Sequence, residues 1–250
     1  MNKMIKLLLA CVPVLIVAAC GGGGDDNLDD RVDVADPKVR LVHAVPLAPN
    51  ISLFRNDVAQ ASDVTNMPYK GASNYFDVSE ADATWAIKTT TGNVTVGTAA
   101  FAATRGNKYT LVAIPAANSA IELINIRDPY NKSLTSDKGR IRVLNAAANQ
   151  SDIDVYLTEP NADIAALSPN FPSVDYRASS PATGNDSIEV TADNHVYWLV
   201  ITAVGSKIPV FRAAVTVNDN ADWLVTVLPD TVLLVTADSS TPATELVNAI

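Results

Sequence analysis

Few side chains in this 250-residue sequence could perform nucleophilic or acid–base chemistry. A serine-hydrolase triad needs a histidine beside an activated serine. The two histidines are His43 and His195, and no Gly-x-Ser-x-Gly nucleophile motif occurs. His43 ends an apolar run, where we expect it to hydrogen-bond the following turn as a structural cap. His195 lies in a polar turn, where we expect it to be solvated, so no catalytic residue is predicted from the histidines.

Two pairs of carboxylates could instead supply the acid and the base of a glycoside hydrolase. The pairs are Asp77 with Glu80, and Glu189 with Asp193. A carboxylate-dependent glycan or cell-wall hydrolase is therefore one alternative function, and it predicts a deep acidic cleft.

Calcium is the metal that the composition could best support, because it needs only oxygen ligands. Weak candidates lie at strand ends and turns: Asp152, Asp154, Asp219 and Asp222. A solvated strand face and an ordinary turn explain the same residues, so we predict no metal and no cofactor. A calcium-stabilised surface adhesion module is the second alternative function.

Cys20 stands in a sequence context that indicates a specific covalent modification. An apolar run over residues 7–19 is shorter than the roughly 20 residues that span a bilayer, and Val17-Ala18-Ala19 leads directly into the cysteine. This string, with its basic start, resembles the bacterial lipoprotein signal. The resemblance implies that residues 1–19 are a signal peptide, that the chain is cut before Cys20, and that this cysteine is acylated.

The predicted lipid defines where the protein works. Gly21 follows the cysteine. In the lipoproteins that this signal resembles, an aspartate at that position favours retention in the inner membrane, so its absence implies the outer membrane. We therefore expect a membrane partner through acylated Cys20 and a lipid-anchored location in the bacterial cell envelope, on its periplasmic or its surface side. Residues 21–37 contain four glycines and six aspartates, so residues 20–37 are predicted to form a disordered, acidic tether.

Cleavage would also remove Cys11, which leaves no pair of cysteines for a disulfide. The mature chain would carry 16 basic and 27 acidic side chains, because Lys3 and Lys6 are lost from the total of 18. An acidic surface argues against nucleic acid as a partner. Stability must come from a hydrophobic core, which the 48% of hydrophobic residues can provide.

The rest of the chain contains two copies of one pattern, in the same order. We place the first copy at 38–132, the second at 138–238, and a C-terminal tail at 239–250. The aligned runs are 39–44 with 141–146, 50–54 with 152–156, 76–78 with 188–190, 85–87 with 198–200, 109–115 with 223–229, and 121–126 with 232–237. His43 falls opposite Asn145, for which we also expect a capping role, and Trp85 falls opposite Trp198.

Each copy alternates apolar and polar residues, as Val39 and Leu41 do around Arg40, which predicts strands with one buried and one wet face. Turn residues recur every 8–12 positions, which is typical of sandwiches. We predict an all-β protein of two tandem immunoglobulin-like or transthyretin-like β-sandwich domains. Trp85 and Trp198 are assigned to the two cores, with a platform for stacking sugars as the alternative.

Several of these segments resemble the domain of unknown function numbered 4397. The segments are 39–44, 49–54, the turn at 69–73, the strand at 108–111, and the junction 127–129 that leads into 140–146. The second copy departs from the pattern, because residues 148–150 lack the proline of the turn and residues 176–179 lack its glycine. The resemblance implies tandem copies in lipid-anchored envelope proteins, and it implies no activity.

Together these observations predict a non-catalytic, lipid-anchored envelope protein that binds an unidentified protein or glycan, or acts as a spacer. Loops 56–74 and 158–186 are rich in proline, asparagine and serine, so we predict any binding surface there, with Phe171 either a partner contact or packed with its loop onto its own sandwich. The short junction 127–139 predicts that the two sandwiches pack end to end.

Overall fold

The computed structural model of the protein describes residues 35–129, 137–237 and 239–250. The predicted signal peptide, Cys20 and the tether up to residue 34 lie outside the described residues. The helical structure within the described ranges consists of three 3₁₀ turns, Ser62–Val64, Ala117–Ser119 and Ile164–Ala166. No helix in that part of the chain is long and apolar enough to cross a membrane.

The strands of the first half form two four-stranded sheets. The first-half inner sheet has the order β4 (Phe76–Asp77), β1 (Lys38–His43), β7 (Asn107–Pro115), β8 (Ile121–Pro129). The first-half outer sheet has the order β3 (Val58–Ala59), β2 (Ile51–Arg55), β5 (Ala81–Thr89), β6 (Thr95–Ala103). β1 and β7 run parallel, and the other pairs are antiparallel.

The second half repeats this arrangement. Its inner sheet has the order β12 (Ser179–Ser180), β9 (Lys138–Asn145), β16 (Asp222–Val227), β17 (Val232–Thr236), β18 (Ala243–Leu246), with β13 (Ile188–Thr191) also on β9. Its outer sheet has the order β11 (Phe171–Asp175), β10 (Asp152–Thr158), β14 (His195–Ala203), β15 (Pro209–Val217). β9 and β16 run parallel, as β1 and β7 do.

These pairings confirm the all-β sandwich fold predicted from the alternating sequence. Each half buries a core between its inner and outer sheets, built around Leu41, Leu53 and Trp85 in the first and Val143, Val155 and Leu199 in the second. Within the described residues the second half has ten strands and the first has eight, because β12 and β13 both pair with β9 where β4 alone pairs with β1, and because the C-terminal segment supplies β18. Descent of the two halves from one duplicated unit stays a prediction.

The two inner sheets pack against each other, so the expectation of end-to-end sandwiches is wrong. A third apolar cluster lies between the sheets. Its buried members are Val42, Ala44, Val112, Ile114 and Ile126 from the first half, with Leu144, Ala146, Leu224, Leu228, Leu233 and Val235 from the second. The chain therefore stacks four sheets, and its two inner sheets are covered on both faces.

The predicted wet face of β1 is consequently wrong as well. Arg40 is only 3% exposed, although it alternates with core residues. Its Nε donates to Thr110 Oγ1 at 2.9 Å, and its Nη1 donates to the carbonyl oxygen of Thr236 in the other half at 3.1 Å. The equivalent Arg142 is 2% exposed and donates from Nη2 to Asp128 Oδ1 at 3.1 Å. Polar residues on these strands thus face the partner sheet.

Lys108 and Asp222 form a buried ion pair across this interface. The two residues hold equivalent positions, because Lys108 lies opposite Lys38 in the ladder of β1 and β7, and Asp222 lies opposite Arg140 in that of β9 and β16. Burial lowers the pKa of Lys108, but the charges of Asp222 and Asp128 outweigh it, and the net pKa is raised. Lys108 therefore stays charged at neutral pH.

A double-mutant cycle on this ion pair would measure how strongly it joins the halves. We expect Lys108→Met to lower the free energy of unfolding by about 3–5 kcal/mol, because it leaves the Asp222 carboxylate buried without its partner. Lys108→Met with Asp222→Leu should recover most of that loss. Urea unfolding followed by tryptophan fluorescence would measure both.

The matched control is Lys88→Met. Lys88 pairs at 3.0 Å with Asp57, whose side chain is 86% exposed, and exposed pairs contribute about 0–1 kcal/mol. A double variant no more stable than Lys108→Met would contradict the prediction.

Candidate functional site

His43 organises the loop that follows β1. Its side chain is fully buried. The backbone N–H of Val45 donates to Nδ1 at 3.3 Å, and Nε2 lies 3.2 Å from the carbonyl oxygen of Pro49. Because Nδ1 accepts, Nε2 carries the proton and donates to Pro49, so the ring is neutral. Burial lowers the pKa of His43, more than the hydrogen bond to Pro49 raises it.

Asn145 performs the same task in the second half. Its Oδ1 accepts from the N–H of Ala147 at 3.1 Å, and its Nδ2 donates to the carbonyl oxygens of Val174 at 3.0 Å and Gln150 at 3.3 Å. The capping role predicted for both residues is confirmed.

The loop held by His43 forms one wall of an apolar groove of about 840 Å³. Val45, Pro46, Ala48 and Pro49 of this loop line the groove together with Val96 and Ile121. The second half contributes Ala148 and Pro229. All 13 lining residues are uncharged, so the groove suits an apolar ligand rather than an ionic one.

Leu47 stands at the rim of this groove in an unusual conformation. Its side chain is fully exposed, and its backbone has φ = 61°. A left-handed conformation costs a residue with a Cβ about 1–2 kcal/mol. This backbone outlier motivates the hypothesis that Leu47 contacts a ligand of the groove.

The groove lies at the end of the first sandwich opposite the point where the chain enters it. At the entry end, the N–H of Gly106 donates to the carbonyl oxygen of Ala35 at 3.0 Å. β7 runs from Asn107 beside that end to Pro115 at the groove, over nine residues. A strand rises about 3.3 Å per residue, which separates the two ends by roughly 26 Å.

A charged cluster also joins the halves, next to the groove residue Pro229. Tyr69 donates to Asp230 Oδ1 at 2.6 Å, and Lys70 Nζ lies 3.0 Å from Asp230 Oδ2 and 2.8 Å from Glu245 Oε1. Hydrogen bonding from Lys70 lowers the pKa of Glu245. Burial raises the pKa of Asp230, but hydrogen bonds from Tyr69 and Lys70 outweigh it and lower the net pKa. Both carboxyl groups thus stay ionised, whereas a glycosidase needs one of its pair protonated.

The carboxylates considered for hydrolysis are exposed and separate from the groove. Glu80 lies 3.7 Å from Arg105 Nε, and Glu189 lies 4.0 Å from Lys138 Nζ. Asp77 and Asp193 are exposed. None of the four lines the groove, so the groove is not the acidic cleft that the hydrolase alternative predicts.

The four aspartates considered for calcium are engaged elsewhere. Asp154 accepts from the N–H groups of Ser173 and Gly205 at 2.8 and 2.9 Å. Asp219 accepts from the N–H of Asp137 at 2.8 Å. Asp222 pairs with Lys108, and burial together with a hydrogen bond to Asp175 raises the pKa of Asp152. In the described ranges, no group of three or more histidine, cysteine or acidic side chains could hold a metal ion.

Of the two possibilities for Phe171, the structure confirms packing onto its own sandwich and contradicts a partner contact. Phe171 is completely buried, because it pairs with Val155 in the ladder of β10 and β11 and belongs to the second core. The two loops that contain the predicted binding surface pack largely on the other half of the same chain. Tyr69 of the first loop reaches Asp230, and Tyr176 of the second donates to the carbonyl oxygen of Pro115 at 2.6 Å.

Trp85 is fully buried in the first core, as predicted. Trp198 is not its counterpart. In the first half Trp85 pairs with Arg55 of β2. The residue of β10 equivalent to Arg55 is Leu157, and it pairs with Leu199. Leu199 is therefore the counterpart of Trp85. Trp198 is therefore one position away and points to the outer face. There the Arg212 guanidinium lies 4.7 Å from its ring centre, which occupies the surface that a sugar would stack on.

His195 is not simply solvated either, since its Nε2 lies 2.9 Å from Glu159 Oε1. The groove was not predicted from the sequence. Its signal was the segment 45–49, where two prolines enclose a leucine in a turn outside any strand.

Residues 37–156 match a family model described as Domain of unknown function (DUF4397). The match confirms the predicted resemblance for the first half and for β9 and β10. No curated protein matches the chain.

One similar solved structure is a family 26 carbohydrate-binding module of Amy13K from Eubacterium rectale, in complex with maltoheptaose. The two chains share 10% identity over 85% of this chain and 97% of the other, with a TM-score of 0.24. A likeness at that score says nothing about what this chain binds.

His43 should make stability depend on pH in a defined window. Its folded-state pKa is lowered from 6.5, so below pH 6.5 the unfolded chain binds a proton that the folded chain excludes. The free energy of unfolding should therefore fall as the pH drops from about 7 to 5, by about 1.4 kcal/mol for each pKa unit of the shift.

We expect His43→Asn, which installs the residue that the second half uses, to flatten this dependence. Thermal unfolding across that pH range would measure it. An unchanged slope in His43→Asn would contradict the assignment.

Proposed function

We propose that this protein is a lipid-anchored, non-catalytic binding module of the bacterial cell envelope. The observation that carries the proposal is the uncharged groove with Leu47 at its rim, at the pole of the first sandwich away from residue 35. A tether that enters at one pole would leave the opposite pole accessible to a partner.

The lipid anchor in this proposal rests on the lipobox that ends in Cys20. Stable membrane attachment takes more than one acyl chain, and the resemblance to lipoprotein signals implies three. We place the protein at the outer membrane, because Gly21 follows the cysteine.

The packing of the two halves supports a binding role rather than that of a passive spacer made of independent domains. The inner sheets share a continuous apolar cluster, and the second half contributes Ala148 and Pro229 to the groove. Both halves are thus needed to complete the site.

Substitution of Cys20 tests the anchor. We expect Cys20→Ser to abolish incorporation of a palmitate label and to release the protein from the membrane fraction, because serine cannot form the thioether that the signal directs. The control is Cys11→Ser, which alters the other cysteine but lies in the part removed by cleavage. Labelling of the Cys20→Ser variant would contradict the proposal.

Protease shaving of intact cells would then identify the side of the membrane. Digestion of this protein, with a periplasmic lipoprotein protected as control, would place the groove at the cell surface. Protection until the outer membrane is broken would place it in the periplasm.

A further inference from the structure

The second half has a cavity at the place that corresponds to the groove. Val96 lies at a β-bulge of β6, where the register with β5 shifts, and Val210 lies at the same bulge of β15. Val96 and Pro115 line the groove, and Val210 and Pro229 line a cavity of about 550 Å³ in the second half, with Pro229 reaching both openings. The two openings thus occupy the same end of each sandwich.

The chain's own C-terminal segment lines the second opening, with residues 245–248. β18 pairs with the edge of β17, with Leu246 opposite Val232. Leu246 packs against the second core. Beyond it, the N–H of Arg212 donates to Asn248 Oδ1 at 3.1 Å, and the N–H of Ala249 donates to the carbonyl oxygen of Arg212 at 2.8 Å. Residues 243–249 therefore join the edges of the inner and outer sheets.

The first half offers the equivalent groups without an equivalent segment. Thr98 of β6 pairs with Ala86 of β5. Arg212 of β15 pairs with Val200, the residue of β14 equivalent to Ala86. Thr98 is therefore the counterpart of Arg212. β8 is an edge strand within the described part of the chain. A shallow cleft of about 490 Å³ runs between β6 and β8, lined by residues 95–98 and 121–123, and it shares Val96 and Ile121 with the groove.

One difference limits how a ligand could lie there. The second half has Phe211 in its core where the first has Gly97. A Cβ on Gly97 would lie 3.1 Å from the Ile87 side chain and 3.4 Å from the carbonyl oxygen of Ile121, so β6 approaches β8 closely at this point. A ligand would lie across the mouth of the groove rather than insert between the strands.

We propose that the groove binds an extended, apolar peptide segment of a partner protein, in the way that residues 243–249 cover the second half. The proposal rests on the proposed function as a binding module and names the chemistry of its partner. An apolar side chain enters the groove between the 45–49 wall and Ile121, Leu47 closes over it, and the peptide backbone pairs with the free edge at Thr98. The groove lining is uncharged, so the side chain that enters the groove is apolar.

The chain supplies its own probe for this site, a labelled synthetic peptide of residues 239–250. We expect saturable binding to the purified full-length protein in mild detergent, measured by fluorescence anisotropy, and no binding of a scrambled peptide. Leu47→Asp should weaken the affinity at least tenfold, because it places a carboxylate beside the apolar side chain of the peptide. Leu47 is fully exposed, so this variant should fold normally.

Two variants serve as controls. Val58→Asp changes another exposed apolar side chain, which lies on β3 beside the end of β2 that is distant from the groove. This variant should leave the affinity unchanged. Val210→Asp changes the position equivalent to Val96 in the second half, where residues 243–249 already lie, and it should also have no effect.

Three results would overturn the proposal. The first is no saturation below about 1 mM, the range of a very weak specific contact. The second is binding that Val210→Asp abolishes and Leu47→Asp does not, because the peptide would then be replacing the chain's own C-terminal segment. The third is binding of maltoheptaose, but not of the peptide, in a manner sensitive to Leu47→Asp. That third outcome would retain the binding module and reject its peptide partner, and none of the three depends on acylation of Cys20.

Discussion

The apolar contact between the two inner sheets is the constraint on which the rest of the structure depends. A β-sheet that is covered on both faces needs apolar residues at nearly every position rather than at alternate ones. β7 meets this need, since seven consecutive residues from Lys108 to Ile114 are buried. The contact fixes the halves relative to each other, and this brings Ala148 and Pro229 of the second half to a groove built mainly by the first.

Much of the fold could be predicted from the sequence, because strands that alternate polar and apolar residues have few other ways to bury their apolar side. The interface between the inner sheets could not be predicted. An arginine or threonine that alternates with core residues gives the same sequence pattern whether its face of the sheet meets solvent or a second sheet. Arg40 shows the ambiguity, because its guanidinium is buried but satisfied by Thr110 and Thr236. Only tertiary structure distinguishes the two environments.

The errors at single sites have equally local causes. A strand places successive side chains on opposite faces, so an alignment that is one residue off assigned Trp198 to the core instead of Leu199. Phe171 follows prolines and asparagines that indicate a loop, yet it begins a strand that pairs with β10. The caps were easier, because His43 and Asn145 both end an inner strand and can both reach the turn that follows.

The groove and the C-terminal segment escaped prediction for one shared reason. Both depend on how the edges of two sheets meet. The position of a sheet edge is determined by strands that are distant in sequence. Residues 243–249 contain few β-branched residues, and they become a strand because the edge of β17 offers unpaired backbone groups and Lys70 offers a partner for Glu245.

Lys108 and Asp222 have a consequence for assembly. They hold equivalent positions but opposite charges, so the inner faces complement each other only when one comes from each half. Two first halves from different molecules would bring two lysines together in a dry interface, and two second halves would bring two aspartates together, both of which are costly. Pairing within one chain satisfies both faces at once, which closes the stack at four sheets and leaves neither described inner sheet exposed to nucleate an open-ended polymer.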